Sequence, residues 1–366
     1  MITPCYFPVK GGTETVVRNL SMLLNKANIP TDVLTFNTDQ WRTPSWQGKT
    51  ENNDGFSVYK IPALNLLWAL RSHRLTMRVN LIPSRFTNIL SKYDILHYHE
   101  LEFSFPLFSS LVRKPKILHC HGLDVQFLRR YWISHMLMKH LPDYCISISR
   151  QMTNEMVSLG INRNRIFYLP NGVDVNIFKP YGSKIDNLLL FVGRVTANKG
   201  VHMLVNALRY IEKPVQLAII GPMDNNYRPY ILGLIEDENR RGKHKITYLG
   251  PMDNIEIAKW YQKASLFVLP SFNEAFPMTI LEALACETPV VATPVGGIPE
   301  IVRNYNTGIL TSRNEPAELA NAIQRLLENK DDIVEFGREG RKQVINNFSL
   351  ETQVKKLSNI YKQMTF

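Results

Sequence analysis

Short apolar runs rich in β-branched residues alternate with amphipathic helical runs along this chain, and the alternation runs through two successive series. Such alternation demands a parallel sheet, because consecutive parallel strands need a crossover helix between them. In the first series the spacing predicts strands at Thr31–Phe36, Phe56–Ile61, Asp94–His97, Lys116–Cys120, Tyr144–Ile148 and Ile166–Leu169. The helix after Gly12 carries Val16, Val17, Leu20, Leu23 and Leu24 on one face at helical period. The second series predicts strands at Leu188–Val192, Val215–Ile220, Ile246–Leu249, Leu266–Leu269 and Pro289–Ala292. Between them lies the Gly/Pro-punctuated stretch from Asn171 to Gly182, read as a linker. The expected organisation is an α/β chain of two doubly wound, Rossmann-like parallel-sheet domains, residues 1–176 and 177–348. A C-terminal helix, 349–366, is capped by Ser349 and packs back on the first domain. Ligands of such sheets bind in loops at the strand C-terminal ends, so the expected site lies in a cleft between the domains.

Composition narrows the function classes. At 45% hydrophobic and 20% charged residues, the 366-residue chain can build packed cores. Cys5, Cys120, Cys145 and Cys286 form no Cys-x-x-Cys pair, which argues against a disulfide framework or a zinc site and fits a reducing cytosol. The N-terminal residues resemble no signal peptide, and no apolar run approaches the ~20 residues of a membrane-spanning helix. The expected location is cytoplasmic, at most peripheral at the inner membrane face. The net charge of +11 is uneven: residues 1–180 hold 21 Lys+Arg against 12 Asp+Glu, residues 181–366 hold 22 against 20. An anionic partner of the first half is implied. Leu66–Arg78 and Arg129–Lys139 mix Trp and Leu with cations, as in helices that lie on anionic membranes; ordinary helices with cations snorkelling over a core read the same way. No nucleic-acid-binding module is recognisable.

Four motifs carry the chemistry. Ser271–Ala283 follows a buried strand and opens a helix near Pro277. Free N–H groups and the positive dipole end of that helix would suit a diphosphate. Glu274 just before the helix and Glu282 inside it could grip hydroxyls of a sugar and a ribose; equally, they could be an acid near a helix start and a solvated helical Glu. In Phe191–Gly200, Arg194 and Lys199 flank a strand-to-helix loop and could neutralise a diphosphate, or be two exposed loop cations. Gly11-Gly12, after the first strand, would let backbone approach a ligand. His121, at the end of Leu118–Asp124, could face the same ligand. No G-x-G-x-x-G fingerprint or P-loop occurs. His97-x-His99 and His119-x-His121 raise the question of a metal. Because neighbouring strand residues face opposite ways and compact carboxylate ligands are missing, no metal centre is expected.

Taken in order, these motifs resemble family 4 of the retaining GT-B glycosyltransferases. The resemblance runs from Gly11-Gly12 through Asp94…His97, His119…Gly122 and Asn171–Asp174. It continues through Gly193-Arg194…Lys199-Gly200, Gly221-Pro222 and Leu249-Gly250 to Glu274-x7-Glu282 and Gly296–Glu300. It implies a metal-independent hexosyltransferase that needs no cofactor and takes its sugar from a UDP- or GDP-sugar. The acceptor would be a hydroxyl on a glycan or lipid-linked molecule bound by the first domain. It also implies that Arg194 and Lys199 bind the donor diphosphate. Glu274 would contact the donor sugar and Glu282 the ribose; backbone at Phe276, Pro277, Met278 and Thr279 would bind phosphate and sugar oxygens. Gly12 would approach the diphosphate, His121 the sugar ring, and Gly221 and Gly250 the base. The chain departs from the family pattern at its short first strand, at Ala275 and at Glu287, where a helix-ending Gly is usual. Two other readings are a noncatalytic sugar-nucleotide-binding subunit and a sugar-nucleotide epimerase of the same architecture.

Overall fold

The computed structural model describes residues 1–3, 6, 12–36, 38–39, 43–44, 49–53, 55–61, 63–65, 78–80, 83–100, 112–122, 142–312 and 315–365. Gly11, Asp124 and the basic stretches 66–77 and 129–139 lie outside the described residues. The chain divides into two compact units, Met1–Pro170 with Gln353–Phe366, and Asn171–Thr352.

The first unit is built on β1 (Ile2–Thr3), α1 (Gly12–Lys26), β2 (Val33–Phe36), β3 (Lys49–Asn53), β4 (Phe56–Ile61), α2 (Pro83–Leu90), β5 (Leu96–His99), β6 (Lys116–Cys120), β7 (Tyr144–Ser147), α3 (Arg150–Ser158) and β8 (Ile166–Tyr168). Its sheet runs β8-β7-β6-β5-β1-β2-β4-β3, with two short hairpin pairs outside it. All neighbours are parallel except β3 against β4. The order reverses between β1 and β5, which is a topological switch point. Residues of β5 are buried on both faces, as parallel strands under two helix layers must be. On one face Val16, Leu20 and Leu24 of α1 meet Ile117 and Ile146.

The second unit holds β9 (Ile185–Val192), α4 (Val201–Leu208), β10 (Gln216–Ile220), α5 (Arg228–Arg240), β11 (Lys245–Gly250), α6 (Asn254–Lys263), β12 (Ala264–Leu269), α7 (Met278–Ala285), β13 (Val290–Ala292), α8 (Ile298–Ile301), β14 (Gly308–Leu310), α9 (Pro316–Glu328) and α10 (Lys330–Phe348). Its all-parallel sheet runs β11-β10-β9-β12-β13-β14. Here the switch point falls between β9 and β12. Leu189, Leu190, Phe191 and Phe267 on these two strands are fully buried, each worth about 1.5–3 kcal/mol relative to exposure.

The last helix, α11 (Leu350–Met364), returns to the first unit, where Val354, Leu357, Ile360 and Met364 join the α1 core. Ser349 caps it, its hydroxyl accepting from the Thr352 N–H at 3.3 Å. The two chain crossings are stitched together: Val173 donates to Phe348 O at 2.8 Å, and Leu350 donates to Val173 O at 3.0 Å. No described helix is long and apolar enough to cross a membrane.

Most expected strands stand within a residue or two of their expected bounds. The consequential shift is β5, which covers Leu96–His99 rather than Asp94–His97. Pairing with β6 in the register Lys116↔Leu96 to His119↔His99 sets it. His99 is thereby inside the sheet.

Candidate functional site

At the second unit's switch point, two loops leave the C-terminal ends of β9 and β12 side by side. After β9 the chain passes Gly193, Arg194 and a short turn, Ala197–Lys199, to Gly200. Gly200 is left-handed at φ +70°, and a Cβ there would lie 2.0 Å from Pro270 O; only glycine lets the loops approach this closely. Phe272 N–H donates to Asn198 O at 2.9 Å, and the Asn198 amide donates to Asn273 O at 3.3 Å. This stitching brings Lys199 to Glu274, Nζ to Oε1 at 2.5 Å, with side chains 22% and 7% exposed. Ser271 Oγ also donates to Glu274 Oε1, at 2.7 Å. The two residues expected to bind different parts of a ligand are thus partners of each other. Arg194 is exposed and pairs with no described acidic residue, which leaves its guanidinium available to an anion.

The loop after β12 ends at α7. Pro277 is the residue before the first helical turn, at φ −73° and ψ 117°, and no side chain caps the helix. The N-terminal N–H groups at Met278 and Thr279 form its uncapped, positive end. Gly297 N–H donates to Ala275 O at 2.9 Å, and a Cβ on Gly296 would sit 1.6 Å from Glu274 O. The loop after β13 therefore clamps the Glu274–Phe276 segment in place. One turn into α7, Glu282 accepts from Tyr261 Oη at 3.0 Å. Burial pushes its carboxyl up to about 7, with the tyrosine hydrogen bond pulling the other way. Lys184 braces the same region, donating to Tyr261 O, Cys286 O and Thr288 Oγ1.

The ends of β9, β10 and β11 are tied in turn. Gly193 N–H donates to Ile220 O and Gly221 N–H to Gly250 O, both at 2.9 Å. A Cβ on Gly221, at φ +134°, would meet Gly193 O at 2.0 Å. Glu287 adopts φ +55°. Thr288 N–H donates to Ala283 O at 2.9 Å and Glu287 N–H to Leu284 O at 3.0 Å, so α7 ends in a Schellman turn with a glutamate in the glycine position.

At the first unit's switch point, Gly12 is exposed at the first residue of α1, and no described atom lies within 4 Å of a Cβ built there. Its neighbour Thr13 donates to Glu100 Oε1 at 2.7 Å. Glu100 itself is held at φ +70° at the end of β5, a conformation that sequence reading gave no sign of. His121 follows the end of β6, and its Nε2 lies 3.0 Å from His99 Nδ1. The expectation that His-x-His residues point apart is corrected here. The alternation has period two, so residues two apart share a face. His97, His99, His119 and His121 all lie on one face and form a column. Ring centroids stand 4.3 Å apart for His97–His99, 5.0 Å for His99–His119 and 4.5 Å for His119–His121. At its other end His97 Nδ1 meets Tyr361 Oη at 2.6 Å.

Ligating nitrogens of His97, His99 and His119 lie within 4.8 Å of one another. The rings, however, lie 14°, 18° and 32° from parallel in pairs. In-plane lone pairs of stacked rings run side by side, and one ion could not be shared without turning them. Burial lowers the pKa of all three well below 6.5 and that of His121 to about 3, so the column is neutral at physiological pH. A cavity of about 440 Å³, lined among others by Met1, Asp32, Tyr93, His97 and Tyr361, lies at the N-terminal ends of the strands, away from His121.

Comparison with known proteins places this geometry. Residues 175–343 match the family described as Glycosyl transferases group 1, and residues 10–177 match Glycosyltransferase Family 4. An uncharacterized glycosyltransferase of Methanocaldococcus jannaschii is 29% identical over 281 residues, covering 74% of this chain and 76% of its own. A D-inositol 3-phosphate glycosyltransferase of Pseudarthrobacter chlorophenolicus is 27% identical over 366 residues, 90% of this chain and 84% of its own. The fold is like that of Anabaena HepE in complex with UDP-glucose, with TM-score 0.78, 18% identity and 99% of each chain covered. Two parallel-sheet α/β domains of this kind define a GT-B transferase. The chain belongs to the family 4, group 1 glycosyltransferases.

Proposed function

We propose that this enzyme is a retaining hexosyltransferase that uses a UDP- or GDP-sugar. The observation that carries the reading is the uncapped start of α7 beside Arg194 and the Lys199–Glu274 pair. The diphosphate lies against the N–H groups of Met278 and Thr279, with Arg194 as its unpaired cation and Lys199 as a second cation held in place by Glu274. As the sugar–phosphate bond breaks, negative charge grows on the diphosphate, and these fixed dipoles and cations stabilise it without a divalent ion. Glu274 Oε2 reaches a sugar hydroxyl, and Glu282 receives the ribose hydroxyls. The ends of β10 and β11 at Gly221 and Gly250 flank the base. The UDP-glucose complex of the Anabaena protein supports a uridine donor. Retention follows a same-face course, in which the leaving phosphate accepts the proton of the acceptor hydroxyl.

The first unit takes the acceptor. Its basic excess suits an anionic one, and relatives named for inositol 3-phosphate agree with a phosphorylated hydroxyl compound. A lipid-linked acceptor at an anionic cytoplasmic membrane surface is the corresponding setting, through the basic stretches 66–78 and 129–139. A screen of UDP-, GDP- and ADP-sugars in chelator, read by thermal shift and by release of free nucleotide, tests the reading. One donor that both stabilises the protein and is turned over supports it. Turnover that appears only with added divalent metal, or stabilisation by no donor, refutes it.

A further inference from the structure

Tyr261, near the end of α6, is fully buried. Its ring meets Phe178 and Phe267 edge-on, with centroids 6.0 and 5.5 Å away. A buried phenol needs a hydrogen-bond partner, and the one described for this hydroxyl is Glu282 Oε2 at 3.0 Å. The backbone of the tyrosine is pinned as well: its carbonyl accepts from Lys184 Nζ at 3.1 Å and from Thr288 Oγ1 at 2.6 Å. The second carboxyl oxygen stands apart. Glu282 is half-buried, and its Oε1 has no described partner and is not among the polar atoms sealed from solvent. One oxygen is thus taken up inside the second unit, and the other is left open one turn into α7.

Few groups decide the charge on this carboxyl. Burial pushes it up to about 7, and the tyrosine hydroxyl pulls it back, because a donor bonded to a carboxylate favours the ionised form. The other described titratable groups around it are engaged elsewhere. Cys286 is a buried thiol pushed up to about 12. Lys184 also donates to Cys286 O and Thr288 Oγ1, and Arg341 donates to Ala285 O and Phe178 O. Glu287 stands past the end of α7.

We propose that Tyr261 is a positioning residue that occupies Oε2 of Glu282, so that Oε1 alone is presented, as an anion, to the ribose hydroxyls of the donor nucleotide. The ligand half of this statement rests on the sugar-nucleotide reading above; the control of Glu282 by Tyr261 does not. A charged acceptor holds a hydroxyl more strongly than a neutral one, so the preference of this site for ribose grows as Glu282 ionises.

The first arm of the test needs no ligand. Infrared difference spectra between wild type and Glu282→Gln isolate the Glu282 carboxyl stretch, whose titration in wild type is centred at about 7. Tyr261→Phe, which keeps the ring and its contacts, moves that titration to higher pH. In the second arm, calorimetry in chelator gives Kd for UDP or GDP, whichever binds, and for its 2′,3′-dideoxy analogue, between pH 6 and pH 9. The ratio of the two Kd values cancels the titration of the phosphates, which both ligands share. In wild type the ratio rises about tenfold across this range, the difference between a charged and a neutral acceptor. In Tyr261→Phe the rise is displaced upward, and at pH 7 the ratio falls about threefold. In Glu282→Gln the ratio is flat, and adding Tyr261→Phe to it changes nothing more. Kd for the dideoxy analogue keeps its wild-type value in both single variants, which separates lost positioning from a lost fold. A Glu282 titration unmoved by Tyr261→Phe, a wild-type ratio flat with pH, or a Tyr261→Phe effect that persists in Glu282→Gln overturns the proposal. If neither nucleotide binds the wild type, the sugar-nucleotide reading fails instead, and the infrared arm still decides whether Tyr261 governs Glu282.

Discussion

The Lys199–Glu274 pair joins the loops after β9 and β12, and its worth can be measured by a double-mutant cycle. Glu274 is 7% exposed and holds two described partners at Oε1, the Lys199 ammonium and the Ser271 hydroxyl. Lys199→Met would leave a buried carboxylate with one neutral donor. Breaking a buried pair in this way costs about 3–5 kcal/mol. Lys199 is 22% exposed, so water can partly replace it, and the lower end, about 3 kcal/mol, is expected. Glu274→Gln keeps an acceptor and the geometry, and should cost about 1–2 kcal/mol. The double variant removes both charges and should fall about 1.5–3 kcal/mol short of the sum, since residues in direct contact couple. Urea denaturation of the four proteins at pH 7 measures this, along with the thermal midpoint, which moves roughly 2–4 °C per kcal/mol for a domain of this size. Additivity within about 0.5 kcal/mol would refute the pairing and with it the account of how the two loops are held.

Two further predictions concern α7. The raised Glu282 carboxyl binds its proton more tightly in the folded than in the unfolded protein, so its stabilising share is full below the unfolded value of 4.5 and is lost as pH rises through about 7. Glu282→Gln should therefore gain stability relative to wild type between pH 5 and pH 8, in denaturation curves taken across that window; a constant difference would contradict the burial of this group. Glu287→Gly should stabilise by about 0.5–1 kcal/mol, because φ +55° suits glycine and the Schellman hydrogen bonds are already formed; a loss of stability in the same assay would contradict it.

What the sequence made legible follows from physics that acts locally. Parallel strands buried on both faces, such as Leu188–Val192, are apolar throughout and stand out. β3, Lys49–Asn53, was not expected, because an edge strand paired on one side needs no apolar face, and its residues Lys-Thr-Glu-Asn-Asn show none. β14, Gly308–Leu310, is three residues long and too short for a periodic signal. The uncapped start of α7 after Pro277 and the strained turn at Glu287 were legible, since Pro and a missing Gly mark helix ends. The pairing of Lys199 with Glu274 was not, because it depends on two loops 75 residues apart meeting through Gly200. The His99–His121 contact was available in principle: two His-x-His segments at period two, on adjacent strands, put four rings on one face. The misplaced start of β5 and the wrong parity hid it.

The central claim is that the start of α7, with Arg194 and Lys199, binds the diphosphate of a sugar nucleotide. Calorimetric titration of UDP and GDP, against uridine and guanosine, in the presence of chelator tests it most directly. The account predicts that one diphosphate binds without metal, that its nucleoside binds at least tenfold more weakly, and that Arg194→Ala removes most of that difference. Equal binding of nucleoside and diphosphate, or diphosphate binding only with a divalent ion, would contradict it.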